Sequence, residues 1–452
     1  MGKIWQNWDV SDEILSIFDS SQEIIFPESR EEMLTLAMGG EKDRFDVSYS
    51  LENGQTVLDA TVSRCKNGIA VNYIESYMRR RDPDCMLIGD HQETDKPRFN
   101  DVYDFPFENL RNETFDWLRN QSLIGLAVNI GGKTSKHKGL LIAPKNAAFF
   151  VGALADMQGF IKPEDIPIKF KPKAIIYLAP TFRHTHFKGK QVVVHNRNNY
   201  LHEIFSYNLY PGPSAKKGIY GVLLQIGEDE NWVTLHSSTV QVVTPYDNVT
   251  TILHEGASGG GKSEMLEQAH REEDGRLLLG ENQISGKKFY LTLNQSCTLM
   301  PVTDDMALSI SAPSHENSKK LFVYDAEEGW FIRLNHITSY GTDLTLEKAT
   351  IHPEKPLIFL NIDGVPNATA LIWEHTEDSL GKPCPNPRVI LPRHFIQDVV
   401  NHPVEVDFRS FGVRSPLSTS DHPTYGIIGM FHVLPPALAW LWRLVSPRGD
   451  SN

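Results

Sequence analysis

Cysteine is scarce: four in 452 residues (Cys65, Cys85, Cys297, Cys384), far apart and with no CxxC pair. That excludes a disulfide-stapled secreted scaffold and a cysteine-based zinc site, and it suits a reducing compartment. Positive charge is also in the minority. Lys and Arg number 44 against 57 Asp and Glu, a formal charge of −13, so no nucleic-acid partner is expected. The start, MGKIWQNWDVSDE, lacks the apolar core of a secretory signal. Long apolar runs are missing too. Ile427–Leu441 is short for a membrane span and holds His432 and Pro435-Pro436, which predicts a buried core segment instead. No internal repeat is visible. A cytoplasmic protein of two or three domains, with no membrane contact, is the expectation.

What is present centres on eight residues, GASGGGKS: Gly256, Ala257, Ser258, Gly259, Gly260, Gly261, Lys262 and Ser263. They fit the phosphate-loop pattern of Gly, four free positions and Gly-Lys-Ser. Upstream, Val249–Leu253 (VTTIL) reads as a strand, and downstream SEMLEQAHREE favours a helix that stops at Gly275. A glycine-rich turn between strand and helix lets backbone N–H groups converge on an anion at the positive helix end. Lys262 would reach the outer phosphates and the Ser263 hydroxyl would ligate Mg²⁺. A flexible Gly/Ser loop is the plain alternative, disfavoured because strand and helix are both in place.

The surrounding pattern predicts an α/β chain of mixed α+β type. SDEILSIFDS and SREEMLTLAM read as helices, and IGLAVNI, GLLIAP, AIIYLAP and QVVVH as strands. Residues 1–210 are expected to form an N-terminal α/β domain on the substrate side. Tyr210–Ser214 (YPGPS) reads as a hinge, and residues 211–452 as a strand-rich phosphate-loop domain with a mixed sheet. Its expected strands include GIYGVLLQI, WVTLHSS, TVQVVT, RLLLGE, KFYLTL, LFVYD, WFIRLN and LIFLNI.

Five more residues stand out. Lys216-Lys217 precede Gly218, His236 lies nineteen positions after Lys217 in VTLHSST, and Asp304-Asp305 close VTDD directly after an apolar strand. Paired aspartates at a strand end beside a phosphate loop serve to hold Mg²⁺ or its water shell. Taken singly, such residues are more often a solvated lysine pair, a satisfied polar histidine and a turn. Glu281 in LLLGEN is the alternative acid. Taken together and in this order, they resemble the phosphoenolpyruvate carboxykinase family. VTDDMALS is similar to the aspartate motif of its GTP-dependent branch, and the Lys-to-His spacing is similar to that of its ATP-dependent members. GKSE (Gly261–Glu264) is similar to the HPr kinase/phosphorylases that share the core. PNPRVILPRHFI resembles the segment whose arginine contacts the transferred phosphate, which maps to Arg388, and RSFGVRSPLS (Arg409–Ser418) resembles a later Phe-Gly-Val loop. The likeness runs from about Lys216 to about Tyr425.

The resemblance implies a nucleotide- and metal-dependent phosphotransferase that converts oxaloacetate and ATP or GTP to phosphoenolpyruvate, CO₂ and the diphosphate. Pyrophosphate is the alternative donor. It implies Mg²⁺ on Ser263 near Asp304, and Mn²⁺ on Lys217, His236 and Asp305, with Lys217 neutral. Lys262, Arg388 and Lys216 would neutralise charge during transfer. By its placement, Arg64 in DATVSRCKNGIAVNY is expected to contact the carboxylates of a small oxo-acid. The run YMRRRDPD reads as a solvated charged face and RHTHFKGK as a surface loop. Two other readings stay open: an HPr-type kinase, suggested by GKSE, and a nucleotide-binding module without catalysis, suggested by an end at SPRGDSN soon after the Phe-Gly-Val loop.

Overall fold

The stretch Ala148–Gln158 (AFFVGALADMQ) is apolar all the way round, and it forms a helix whose every residue is buried. Such a helix has to be enclosed on all sides. In the computed structural model it packs on Ser122–Asn129 and Lys138–Pro144 of one sheet and on Gly329–Arg333, Leu357–Leu360 and Arg388–Pro392 of another. The structure describes residues 3–51, 53–133, 135–198, 200–255, 274, 276–292, 297–311, 320–407, 411–412 and 430–431. The phosphate-loop motif at 256–263, the expected helix after it, most of Arg409–Ser418 and nearly all of Ile427–Leu441 lie outside them.

The first sheet runs in the order Glu23–Ile25, Ser122–Asn129, Lys138–Pro144, Ala174–Leu178, His202–Ser206, Val193–Arg197, Met86–Ile88, with Phe160–Ile161 also on Ser122–Asn129. Its three strands from Lys138–Pro144 to His202–Ser206 are parallel neighbours, flanked by antiparallel pairings. On the face away from the central helix, helices Asp12–Ser20 and Phe107–Arg119 cover it. There Phe115 meets Tyr177 and Phe205 in one apolar core. The second sheet runs Arg44–Ser50, Thr56–Cys65, Gly68–Tyr73, Leu357–Leu360, Arg388–Pro392, Gly329–Arg333. Gly68 makes its central parallel pairing possible, since a Cβ there would fall 1.9 Å from the Leu357 carbonyl oxygen. The chain is thus of the expected mixed α/β class.

Contacts divide the chain into two compact units: Met1–Ile226 with Glu327–Ile396, and Gly227–Ala326 with Gln397–Asn452. This division differs from the boundary expected at 210/211. Strands 357–360 and 388–392 continue the second sheet that residues 44–73 begin, so the stretch 327–396 goes with the N-terminal half. The second unit has a three-stranded sheet, Val249–Glu255, Ser237–Val243, Thr298–Thr303, and a four-stranded one, Val233–Leu235, Ala307–Ser311, Lys320–Asp325, Val404–Asp407. Every described pairing in both is antiparallel. Their small core joins Val302, Ala307, Val323, Val400 and Val404. Among the described residues no helix is long and apolar enough to cross a membrane.

Two expectations are corrected here. GIYGVLLQI is part of a helix, Lys217–Glu230, because its buried residues Ile219, Val222, Leu223 and Ile226 recur at helical spacing. YPGPS is no hinge: Gly212–Lys216 is a buried π-type turn leading straight into that helix. The helix also closes a polar chain in the core. Histidines in tandem donate along it: His195 Nδ1 lies 2.8 Å from His202 Nε2, and His202 Nδ1 lies 2.8 Å from Gln225 Oε1.

Burial disfavours the charged imidazole at both histidines, pushing His195 well below its ordinary range and His202 down to about 4. An unfolded histidine titrates near pH 6.5, as a general reference value. Between that and about 4 the unfolded chain takes up a proton that folded His202 refuses. Stability is therefore full above about pH 6.5 and falls as the pH drops through this window. Urea unfolding should lose about 2 kcal/mol on account of His202 between pH 7 and 5, and His195 should act in the same direction. A His202→Gln variant should lose about one proton's worth of the slope; an unchanged slope would show that the histidine is not buried neutral.

Candidate functional site

The three-stranded sheet of the second unit brings several chosen positions to one end. Val249–Glu255, the strand leading into the phosphate-loop motif, is antiparallel to Ser237–Val243 and ends with Glu255 opposite Ser237. Thr298–Thr303 lies on the other side of Ser237–Val243 and ends with Thr303 opposite Thr239. The two outer strands therefore run in the same direction and stop at the same edge. There the Thr303 hydroxyl donates to the Ser237 carbonyl at 3.1 Å and lies 3.1 Å from Thr239 Oγ1. Asp304 and Asp305 form the bend that follows, and His236 immediately precedes the middle strand. His236 Nε2 sits 2.8 Å from Asp305 Oδ1. Asp304 is buried, while His236 and Asp305 remain half-accessible. An imidazole nitrogen beside a carboxylate oxygen is a donor pair that one divalent ion can share.

In the first unit a second group forms around Phe331, a residue of WFIRLN that carries no motif of its own. Lys216 Nζ lies 6.0 Å from the ring centroid and the Arg388 guanidinium 5.0 Å. These cations, far apart in sequence, share an aromatic partner. The buried Lys216 ammonium is 3.5 Å from Glu327, which is fully buried. Arg388 is held by two donations, Nε to Asn386 Oδ1 at 2.9 Å and Nη1 to the Phe331 carbonyl at 2.8 Å. Among the described residues its Nη2 makes no hydrogen bond or ion pair, leaving one prong of the fork for an anionic group. Asn386 Nδ2 donates to Tyr210 Oη and to the Arg79 carbonyl, both at 2.8 Å. The signal that could have marked Phe331 and Asn386 is adjacency: strand Gly329–Arg333 pairs with Arg388–Pro392, and Asn386 stands two residues before Arg388.

A family model described as a domain of unknown function, DUF4914, matches residues 10–452. The chain belongs to the DUF4914 family. No curated protein matches it.

The remaining sequence-chosen residues of this DUF4914 chain fall as follows. Lys217 is half-buried at the start of helix Lys217–Glu230, with its ammonium 5.5 Å from the Tyr220 ring. It belongs to the first unit, whereas His236, Asp304 and Asp305 belong to the second. Arg64 has a local role: its Nε donates to the Lys42 carbonyl at 3.0 Å and its Nη2 to the Gly40 carbonyl at 2.7 Å, tying strand Thr56–Cys65 to the turn before Arg44. Glu281 ends an exposed hairpin, Leu277–Glu281 with Lys288–Leu291, whose pairings are with each other alone among the described residues. That favours Asp304-Asp305 as the acidic motif.

The arginine run is a solvated face only at Arg81, which is exposed. Arg79 is buried, with Nε donating to the Tyr73 carbonyl and Nη1 to the Glu377 carbonyl, and both Arg79 and Arg80 pair with Asp378. RHTHFKGK is not a plain surface loop either, since His184 lies on the short helix Phe182–Thr185 beside fully buried Arg183. His184, Asp59 and Glu75 are the one group of three potential metal ligands among the described residues. Arg183 already serves both carboxylates, with Nη2 3.0 Å from Asp59 and 2.9 Å from Glu75. Asp59 also accepts from the Tyr49 hydroxyl at 2.9 Å. The guanidinium supplies the positive charge there, and a metal would have to displace it. Burial and the adjacent Arg183 hold His184 below its ordinary range.

Proposed function

We propose that this chain binds a nucleoside triphosphate with Mg²⁺ and transfers its γ-phosphoryl group in a carboxykinase-like reaction on a small oxo-acid. One observation carries the reading: the strand entering GASGGGKS, the His236–Asp305 pair and buried Asp304 share one sheet edge. Phosphoryl transfer needs positioning and charge neutralisation more than covalent chemistry, and the residue types fit that need. Ser263 and Asp304 would hold Mg²⁺. His236 and Asp305 would hold a second ion, Mn²⁺, which would polarise the carbonyl of the oxo-acid. In the first unit by itself, Arg388 and Lys216 gather at one aromatic ring, a grouping suited to an anionic substrate. Arg64 keeps only its structural role in this scheme. A cytoplasmic setting agrees with an acidic chain that has few cysteines and an intracellular substrate class.

His236→Ala is the direct test. Oxaloacetate decarboxylation with ATP or GTP is expected to lose its Mn²⁺ activation, while calorimetric binding of Mg-ATP stays within about threefold of wild type. Manganese activation that survives the substitution would remove the assignment of the second ion. Nucleotide binding with no turnover in the wild type would make the chain a binding module.

A further inference from the structure

A cavity of about 570 Å³ opens in the first unit where two parallel strands, Met86–Ile88 and Val193–Arg197, give way to loop. That volume lies inside the range of small-molecule sites. Asp90 follows the first strand and Asn196 and Arg197 close the second, while Pro106 and Phe107 start helix Phe107–Arg119 on the same cavity.

The loop at 89–92 is fixed before any ligand arrives. The Asp90 carboxylate accepts from Arg197 N at 2.6 Å, Arg197 Nε at 3.0 Å, Arg197 Nη2 at 2.8 Å and Gln92 N at 2.9 Å. Arg98 ties the same loop, donating to the Asp90 carbonyl at 2.5 Å and to the Gln92 carbonyl at 2.8 Å. The charges of Asp90 and Arg197 are thus spent on each other.

Three amide side chains line the cavity, and one bond orients each of them. Asn196 Nδ2 donates at 2.7 Å to the buried Glu203 carboxylate, which Arg111 holds at 2.9 and 3.1 Å. A carboxylate of this kind only accepts, so the amide cannot be turned round and Oδ1 is its remaining polar atom. Gln92 Nε2 donates to the Arg197 carbonyl at 3.2 Å, which leaves Oε1. Asn100 Oδ1 accepts from the Phe107 N–H at 2.9 Å, which leaves Nδ2. Among the described residues these three remaining atoms have no hydrogen-bond partner.

This set selects a ligand that both donates and accepts. The two amide oxygens and the exposed Glu108 carboxylate ask for donors. The Asn100 amide nitrogen and the positive end of the helix ask for acceptors. A phosphate only accepts and would be repelled by Glu108. An ammonium only donates and would meet the helix end. Hydroxyl groups do both, and Pro106 with Phe107 adds an apolar wall for the C–H face of a sugar ring.

We propose that this cavity binds a neutral sugar, a hexose or a disaccharide of hexoses, through residues of the first unit alone. Saturation-transfer NMR on the full chain, with glucose, galactose, mannose and maltose as probes, is expected to show transfer to the ring protons of at least one. Gln92→Ala with Glu108→Ala, both at exposed positions, should weaken that sugar at least about fivefold, as for the loss of one or two hydrogen bonds. The thermal midpoint should stay in place. Asn196→Ala should weaken it at least as much, because it removes the amide that Glu203 orients. Transfer to none of the four sugars would overturn the proposal, as would an affinity that the Gln92→Ala, Glu108→Ala chain retains. Binding of spermidine or inorganic phosphate that these substitutions abolish, with no sugar bound, would overturn it too.

Discussion

Lys262→Ala is expected to lower nucleotide-dependent turnover by about a thousandfold or more, the usual cost of deleting a main electrostatic stabiliser of a charged transition state. The ammonium of a Gly-Lys-Ser motif acts on the outer phosphates, where negative charge redistributes during transfer. No other chosen residue in the second unit is a cation: Asp304, Asp305 and His236 can serve metal ions but cannot replace that charge. Initial rates of phosphoenolpyruvate formation from oxaloacetate with ATP and with GTP would measure the effect. A drop of less than tenfold would mean that GASGGGKS does not cradle the reacting phosphates.

The second large effect concerns stability. Arg183 is fully buried and ties Asp59, also fully buried, to Glu75 and to the Gly189 carbonyl. An Arg183→Met variant would leave the Asp59 charge in an apolar setting with only the Tyr49 hydroxyl as donor. Removing one partner of such a pair costs about 3–5 kcal/mol, more than most single substitutions. Equilibrium urea unfolding should show that loss, and Asp59→Asn added to Arg183→Met should restore part of it. A loss below about 1 kcal/mol would mean that water reaches the pair.

Several elements were legible because their signals are local. The helix pattern of SDEILSIFDS, the β-branched run VTTIL and the apolar strand before VTDD all appear where expected. His236 and Asp305 were chosen for residue type and strand-end position, and the sheet register places them side by side. Other features depend on distant partners. GIYGVLLQI has apolar residues dense enough to suit a strand, and only burial on one helical face decides for Lys217–Glu230. The burial of Arg79 and Arg183 left no local sign, because an arginine looks the same in sequence whether solvated or met by a distant carboxylate such as Asp378 or Asp59. Arg64 was chosen by its place between two strand-like runs, and backbone carbonyls at 40 and 42 claim its guanidinium. The grouping of Lys216 and Arg388 at Phe331 needed the pairing of strand Gly329–Arg333 with Arg388–Pro392, a long-range choice that spacing does not encode.

The return of residues 327–396 to the first unit has a consequence for biosynthesis. The second sheet cannot complete its middle until Leu357–Leu360 has left the ribosome and docked on Gly68–Tyr73. By then Gly227–Ala326 has already emerged. The strands from 44 to 73 therefore keep one edge without its native partner through that whole interval, the longest wait that any strand of this sheet has to bridge.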